Sequence, residues 1–196
     1  MGKLFIVSTP IGNLGDITFR ALETLKSVDL ILAEDTRTTQ NLLAHYQIPK
    51  PEIWSFFEGN EKRQINHVLS RLRQGENIAL VSESGTPVIS DPGYKLIREV
   101  ISRGMPVEEI PGPSAVITAL VLSGLPPDKF IFLGFLPKKP GKRKSILEQI
   151  KTSNLQSTII FYESPYRVVK TLGEISKNFG DIDIVICREI TKLHEE

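Results

Sequence analysis

The sequence of 196 residues has a single cysteine, Cys187, so a disulfide within the chain and a cysteine-based metal site are both excluded. Its three histidines, at positions 45, 67 and 194, are scattered and do not have the spacing of metal ligands. We therefore expect no metal site in this protein.

The sequence also lacks a long apolar run and an excess of charge of either sign. The longest mostly apolar stretch, residues 115–125, is too short to span a bilayer, and the N-terminus does not have the layout of a signal peptide. Lys and Arg total 24 and Asp and Glu 23, for a net charge of +1. We expect a soluble cytoplasmic protein, in which nucleic-acid binding would require a local basic patch.

The usual phosphate-binding loops are absent as well. An apolar segment at residues 4–7 is followed by a turn with Pro10, Gly12 and Gly15, but this turn supplies only G-x-x-G. Neither the dinucleotide fingerprint G-x-G-x-x-G nor the P-loop pattern is present. Pro10 also removes an N–H group where a phosphate would need a donor. The first loop is therefore interpreted as a ligand wall without a phosphate cradle.

Apolar and amphipathic segments alternate along nearly the whole chain. The apolar segments predict strands at residues 4–7, 30–33, 53–56, 78–81, 107–110, 130–133, 158–161 and 182–186. Helical spacing between them is found in three apolar sets, which are Ile65, Val68, Leu69 and Leu72; Leu96, Ile97, Val100 and Ile101; and Val168, Val169, Leu172 and Ile175. The pattern predicts an α/β fold, with a mostly parallel sheet that is covered by helices on both faces.

Capping signals mark where several helices begin and end. Asp91-Pro92, Gly112-Pro113 and Ser164-Pro165 each place a capping residue before a proline, which predicts three helix starts. The glycines that predict helix ends are Gly75, Gly104, Gly124 and Gly180.

The segment GLPPD at residues 124–128 is the best candidate for a domain boundary, because two prolines follow a predicted helix end. We predict an N-terminal α/β domain at residues 1–124 and a C-terminal α/β domain at residues 125–196. The second domain would be small by the usual measure. We therefore expect that the sequence is a truncated version of a longer one.

Unusual residues gather after the predicted strands, at their carboxyl ends. These loops are TPIGN (9–13), AEDTRT (33–38), FFEGN (56–60), SESGTPVISDPGY (82–94) and PGPSA (111–115). In an open parallel sheet the ligand crevice lies outside these ends, so the loops predict a binding site along one edge of the sheet.

The motifs SESGTPVISDPGY, PGPSA and AEDTRTT, together with TPIGNLGDIT, GFLP, FYESPYR and REITKLHEE, resemble the tetrapyrrole methylase superfamily. Within it, the chain is similar to the bacterial methyltransferases that act on the 2′-O-ribose of a decoding-site cytidine in small-subunit (16S) ribosomal RNA. The resemblance extends over residues 4–195. The family usually has Asp-Ala where this chain has Glu83-Ser84.

The resemblance implies two α/β domains, with a mostly parallel sheet in the first and a mixed, here incomplete, sheet in the second. It also implies a homodimer, ribosomal RNA or the small ribosomal subunit as partner, and S-adenosylmethionine as cofactor. By the same resemblance, the cofactor would contact Pro10, Glu83, Ser84, Gly85, Pro87, Val88, Pro111, Gly112, Ser114, Ala115 and Glu163.

Carboxylates are the candidates for the base that a ribose hydroxyl requires as a weak nucleophile. Glu34 and Asp35, which follow a predicted strand, are our candidate catalytic residues. Each has a structural alternative, since Asp35 is placed to cap the next helix and Glu34 is placed to pair with Arg37. Asp91 and Glu163 are further candidates, although Asp91 before Pro92 fits a helix cap.

The run KKPGKRK at residues 138–144 has two interpretations, a solvated loop or a contact with the RNA backbone. The resemblance favours RNA. The residues that we predict to contact RNA are Arg37, Lys138, Lys139, Lys142, Arg143 and Lys144.

Two functions from other classes remain as alternatives. One is methylation of a small molecule of the tetrapyrrole type, which would require a deep apolar cavity and no basic run. The other is a non-enzymatic RNA-binding factor.

Overall fold

The computed structural model describes residues 1–49, 51–153 and 156–196. Contacts divide the chain into two units, one of residues 1–115 with 191–193 and the other of residues 116–190 with 194–196. None of the helices in the described residues is long and apolar enough to cross a membrane.

Short apolar segments build a parallel sheet in the first unit. Its five strands among the described residues are β1 (Leu4–Val7), β2 (Leu30–Ala33), β3 (Glu52–Ser55), β4 (Ile78–Val81) and β5 (Val107–Ile110). They lie in the order β3-β2-β4-β1-β5, and every neighbouring pair is parallel. Four of the predicted ranges are confirmed, and β3 is shifted by one residue toward the N-terminus relative to its predicted range of 53–56. Strands β2 and β4 are buried along their whole length, as expected where both faces of a sheet are covered.

Helices cover this sheet on two sides. They are α1 (Phe19–Ser27), α2 (Thr36–His45), α3 (Glu61–Arg73) and α4 (Tyr94–Ser102). Alternate strand residues face opposite ways, so Leu30 and Leu32 of β2 join a cluster with α3 and α4, whereas Ile31 and Ala33 join one with α1 and α2. The predicted apolar face of α3 is buried. On α4, Leu96 and Val100 are buried, whereas the predicted fourth member Ile101 is 60% exposed.

The predicted helix starts are only partly correct. Helix α4 begins at Tyr94, because Gly93 with φ of 128° precedes it, so the interpretation of Asp91 as a helix cap is wrong. Helix α5 (Ala115–Ser123) and helix α7 (Val168–Phe179) likewise begin two or three residues after their prolines. The four glycines predicted at helix ends all have positive φ.

The second unit contains β6 (Phe130–Phe135), α6 (Pro140–Thr152) and β7 (Thr158–Tyr162), followed by α7. Strands β6 and β7 are parallel, so the two strands described here do not include the antiparallel neighbour that a mixed sheet requires. The strand predicted at residues 182–186 is wrong, because this segment has no regular secondary structure. An apolar segment becomes a strand only where a neighbouring strand accepts its hydrogen bonds, and β6 and β7 pair with each other.

A buried ion pair joins α6 to α7. The side chain of Arg143 is 2% exposed, and its guanidinium donates to both carboxylate oxygens of Glu174, at 2.5 and 2.6 Å. Glu174 itself is 25% exposed. The contact is bidentate. Water can reach part of the Glu174 carboxylate but not the Arg143 guanidinium.

Removal of Glu174 should therefore destabilise the protein more than removal of Arg143. We expect Glu174→Ala to lower the free energy of unfolding by about 3–5 kcal/mol, because it leaves the buried guanidinium without its carboxylate. We expect Arg143→Met to cost less, since the exposed edge of Glu174 can be hydrated. Urea unfolding measures both, and Glu148→Ala in the exposed pair with Lys144 is a matched control at below about 1 kcal/mol. Equal costs for Glu174→Ala and Glu148→Ala would contradict this account.

Candidate functional site

The loops that follow β1, β4 and β5 are bonded to one another at the carboxyl edge of the first sheet. Thr9 and Gly85 exchange two backbone hydrogen bonds, with N···O distances of 2.9 and 3.1 Å. The hydroxyl of Thr86 donates to the carbonyl of Pro113 at 3.2 Å and also accepts from the Ser8 hydroxyl at 3.2 Å. Three of the predicted ligand loops, TPIGN, SESGTPV and PGPSA, thus form one connected edge.

A cavity of about 330 Å³ opens beside this edge. Its lining residues are Thr9, Pro10, Ile11, Gly12, Leu14, Thr38, Thr39, Asn41, Leu42, Ser82, Glu83, Ser84 and Lys192. Three predicted cofactor residues, Pro10, Glu83 and Ser84, are among them. Thr38 belongs to the predicted loop AEDTRT, whereas Asn41 was not predicted, since nothing in a helical sequence indicates which of its polar residues faces a cavity.

Other predicted cofactor residues lie in the same loops but outside the lining of this cavity. They are Gly85, Pro87, Val88, Pro111, Gly112, Ser114 and Ala115. Gly85 and Pro87 are buried, whereas Pro111 and Gly112 are exposed. A side chain at Gly112 would place its Cβ 2.9 Å from the Cβ of Ser8, so glycine lets the loop after β5 approach the loop after β1.

The loop between β4 and α4 has an unfavourable backbone conformation. Val88 and Ser90 have φ of 76° and 70°, in the left-handed region that a β-branched residue such as Val88 rarely adopts. Such a conformation persists only where the surrounding contacts impose it, and it is concentrated at functional sites.

Glu61 of α3 fixes the far end of this loop. Its side chain is 5% exposed, and the carboxylate accepts from the N–H of Gly93 at 3.2 Å and from Nζ of Lys95 at 2.9 Å. Glu61 could not be singled out from the amino-acid pattern, because its partners lie more than thirty residues away. The contact fastens the start of α4 to α3.

The acidic residues at the edge have different environments. Burial raises the pKa of Glu34, and the negative charges of Asp91 and Glu83 raise it further. Burial also raises the pKa of Asp91, against a hydrogen bond from Ser82 that lowers it. The pKa of Glu34 is thus raised both by its surroundings and by two nearby carboxylates, those of Asp91 and Glu83.

Asp35 is in the opposite situation. It is the N-cap of α2 and accepts from the N–H of Arg37 at 2.8 Å, which confirms the capping prediction. Hydrogen bonds from the Arg37 side chain and backbone lower the pKa of Asp35. Because Arg37 pairs with Asp35, at 3.1 Å, the alternative in which Arg37 pairs with Glu34 is wrong.

Glu163, in the second unit, is engaged in internal contacts. Its side chain is 5% exposed, and its oxygens bind the N–H of Ser164 at 2.7 Å, the hydroxyl of Thr171 at 2.8 Å and the guanidinium of Arg167 at 2.5 Å. These bonds hold the turn before α7. Since its acceptor oxygens are used in this way, the predicted contact of Glu163 with a cofactor, and its candidacy as a base, are not supported.

A larger cavity, of about 680 Å³, lies in the second unit. Its lining is mostly apolar and comes mainly from α5, β6, α6, β7, α7 and residues 182–187. Apart from Glu163, it contains none of the predicted site residues. We therefore place the candidate site at the smaller cavity, where polar groups and connected loops coincide.

The basic run at residues 138–144 is only partly a loop. Helix α6 begins at Pro140, so the last five residues of the run form its first turn and a half. Lys138, Lys139, Lys142 and Lys144 are exposed. Arg143 is the exception, since its buried pair with Glu174 leaves no group for a phosphate, and its prediction as an RNA contact is withdrawn.

Comparison with solved structures agrees with the α/β fold. The chain is 21% identical to cobalt precorrin-4 methyltransferase, with a TM-score of 0.70 over 99% of this chain and 83% of that one. It is 16% identical to the methyltransferase CobJ, with a TM-score of 0.71 over 100% of this chain and 84% of that one. At these identities the likeness concerns the fold alone.

Sequence comparison defines the family. Residues 3–196 match the tetrapyrrole (corrin/porphyrin) methylases, and the chain belongs to this family. It is 52% identical to ribosomal RNA small subunit methyltransferase I of Thermotoga maritima, over 100% of this chain and 86% of the relative. It is 46% identical to the protein of the same name from Bacillus subtilis, over 100% of this chain and 66% of the relative.

The contact between Glu61 and Gly93 generates a local prediction. Glu61→Ala removes the acceptor of the buried Gly93 N–H, so we expect amide hydrogen exchange at Gly93 to accelerate about tenfold or more. Glu61→Gln keeps an acceptor oxygen and should retain most of the protection. Lys95→Met is the control, because it removes only the ion pair. Equal acceleration in Lys95→Met and Glu61→Ala would show that the ion pair, rather than the backbone contact, holds the loop.

Proposed function

We propose that this chain is an S-adenosylmethionine-dependent methyltransferase that methylates the 2′-hydroxyl of a decoding-site cytidine in 16S ribosomal RNA. The observation that carries the proposal is identity of 52% over the whole chain to a relative named for the small ribosomal subunit RNA. The connected loops and the cavity at the carboxyl edge of the first sheet support it. The specific nucleotide and atom come from the family resemblance of the motifs.

The residues of this edge fit the cofactor chemically. Pro10 is buried and has no N–H, which suits a neighbour that carries positive charge on sulfur. Glu83 and Ser84 are exposed at the cavity and offer acceptors for ribose hydroxyls. We propose that Gly85, Pro87 and Val88, with the residues predicted at 111, 112, 114 and 115, complete the binding site.

Glu34 is the better candidate for the base among the two predicted carboxylates. Asp35 is occupied by the helix cap and by Arg37, both of which stabilise its ionised form and lower its basicity. Burial and nearby negative charges raise the pKa of Glu34, so it binds a proton more tightly than an ordinary glutamate does. We therefore retain Glu34 as the proposed catalytic residue and assign Asp35 to the structure of α2.

In the proposed mechanism the cofactor, the loops at the edge and Glu34 each have a separate role. When bound, S-adenosylmethionine supplies a methyl group on a positively charged sulfur. The loops around Thr9 and Gly85 would hold the reacting groups in line, which provides much of the acceleration in such displacements. Glu34 would accept the proton of the ribose 2′-hydroxyl, and the hydroxyl oxygen would receive the methyl group while the electron pair of the broken carbon–sulfur bond stays with the departing thioether.

The exposed lysines at the start of α6 provide a surface for RNA. Lys138, Lys139, Lys142 and Lys144 can contact phosphates, and such contacts give affinity without sequence preference. Arg37 remains a proposed contact, since its side chain is 87% exposed even though it pairs with Asp35.

We also propose a homodimer that acts in the cytoplasm. Helix α5 carries three exposed apolar residues, Ile117, Val121 and Leu122, at 49%, 72% and 54% exposure, and an exposed apolar face supports self-association. Sedimentation of the purified chain at several concentrations tests this part.

The assignment of Glu34 predicts a particular pH dependence. We expect Glu34→Gln to lower kcat/KM by about 10²–10⁴-fold, and Asp35→Asn to leave it within a few-fold, because Asn caps helices as well as Asp does. Activity requires ionised Glu34, so it should fall as the pH drops through a pKa above the ordinary range of glutamate. Asp91→Asn removes a negative charge that raises this pKa, so the acidic limb should move to lower pH. A loss in Asp35→Asn as large as in Glu34→Gln would overturn the assignment.

Methylation of ribosomal particles tests the function as a whole. Small subunits from a bacterial strain that lacks the homologous enzyme are incubated with the chain and radiolabelled S-adenosylmethionine, and the modified nucleotide is mapped. We expect one 2′-O-methylcytidine in the decoding region. Cofactor binding in calorimetry without RNA methylation would favour a small-molecule substrate, and absence of cofactor binding would favour a non-enzymatic RNA-binding factor.

A further inference from the structure

Tyr166 lies in the turn between β7 and α7 with its side chain fully exposed, at 100%. Val169, in the first turn of α7, is 81% exposed. Single exposed aromatic residues are common on protein surfaces and need no explanation by themselves. Tyr166 differs because its turn is held in place by the buried carboxylate of Glu163 and the half-buried guanidinium of Arg167.

Glu163 and Arg167, which lie before and after Tyr166 in the chain, anchor its turn. The carboxylate of Glu163 accepts from the N–H of Ser164 and from the hydroxyl of Thr171, and it pairs with the guanidinium of Arg167. Arg167 in turn donates to the carbonyl of Leu136, at 3.2 Å, in the connection that follows β6. The turn that presents Tyr166 is therefore tied to the segment that precedes the basic run.

The basic run is anchored in the same way. The guanidinium of Arg143 donates to the carbonyl of Pro137 at 3.1 Å, directly before Lys138 and Lys139. Because β6 and β7 are parallel, the connections that follow them leave the sheet at the same edge. The exposed ring of Tyr166 and the exposed ammonium groups of the run thus share one edge of the second unit.

The charge balance of this edge is positive. Lys138, Lys139 and Lys142 are exposed, whereas the carboxylates of Glu163 and Glu174 are turned toward arginines. Ammonium groups attract phosphates, and an exposed aromatic ring on a fixed turn offers a face on which an unpaired base can stack. A base within a duplex is already stacked and cannot use such a ring.

We propose that Tyr166 stacks on a base of single-stranded RNA whose phosphates contact Lys138, Lys139 and Lys142. This inference rests on the proposed function, because it names the part of an RNA substrate that the second unit holds. The ring supplies stacking and the lysines supply the electrostatic attraction, so the two contributions respond differently to salt.

The experiment measures binding of a fluorescent single-stranded RNA of 12 nucleotides, and of the matching duplex, by anisotropy over a range of salt concentrations. We expect Tyr166→Ala to weaken binding of the single strand about tenfold, with the salt slope unchanged. Tyr166→Phe should restore the affinity, since it keeps the ring. Replacement of the three lysines by Ser should reduce the slope by about two units. Val169→Ala is the control for loss of an exposed apolar side chain on the same surface.

The outcomes separate this inference from the proposed function. If the unmodified chain binds RNA and Tyr166→Ala binds the single strand as tightly, the stacking contact is refuted and the proposed function is unaffected. If the unmodified chain binds neither RNA, the stacking contact is overturned, whereas the proposed function is still decided by methylation of ribosomal particles. Equal weakening of single-strand and duplex binding in Tyr166→Ala would also overturn the stacking contact. Thermal unfolding of each variant verifies that the fold is retained.

Discussion

The pair of backbone hydrogen bonds between Thr9 and Gly85 is the interaction on which the geometry of the candidate site depends. It joins the loop after β1 to the loop after β4, and the Thr86 hydroxyl then joins the second of these to the loop after β5. Gly85 has φ of 82°, and a Cβ there would lie 3.1 Å from a methyl carbon of Ile11. The positive φ therefore favours glycine at this position, and a side chain would also require the Ile11 methyl group to move by a few tenths of an ångström. The parallel strands bring the loops to one edge of the sheet, and the hydrogen bonds between Thr9 and Gly85 fix the distance between the loops after β1 and β4.

Much of the first sheet could be predicted because its strands are short, apolar and separated by amphipathic helices. A fully buried strand such as β2 needs no cross-strand information to be identified. Prediction failed where the outcome depends on a distant partner. Residues 182–186 have the composition of a strand but pair with no neighbouring strand in the part of the chain that the structure describes. Arg143 lies in a basic run that predicts exposure to solvent, but its guanidinium pairs with the carboxylate of Glu174, 31 residues away.

The candidate site was predictable to a similar degree. Its place at the carboxyl edge follows from the alternation of strands and helices, and the capping role of Asp35 follows from its position before a helix. The same capping argument failed for Asp91, because the sequence Asp-Pro also fits a loop and Gly93 delays the start of α4. Glu61 and Asn41 could not be predicted, since their relation to the edge exists only after α3 and α2 have packed.

Several buried charged groups in this protein each hold a backbone group in addition to a side-chain partner. Glu61 holds the N–H of Gly93, Glu163 holds the N–H of Ser164, and Arg143 holds the carbonyl of Pro137. Each contact holds the connection that follows a parallel strand, or the start of the helix after that connection. The charged group that makes the contact can then no longer bind a ligand. The groups that remain for chemistry are those outside these contacts. This is why adjacent Glu34 and Asp35 differ so strongly, since Asp35 is held by a helix start and an arginine, whereas Glu34 has burial and like charges that raise its pKa.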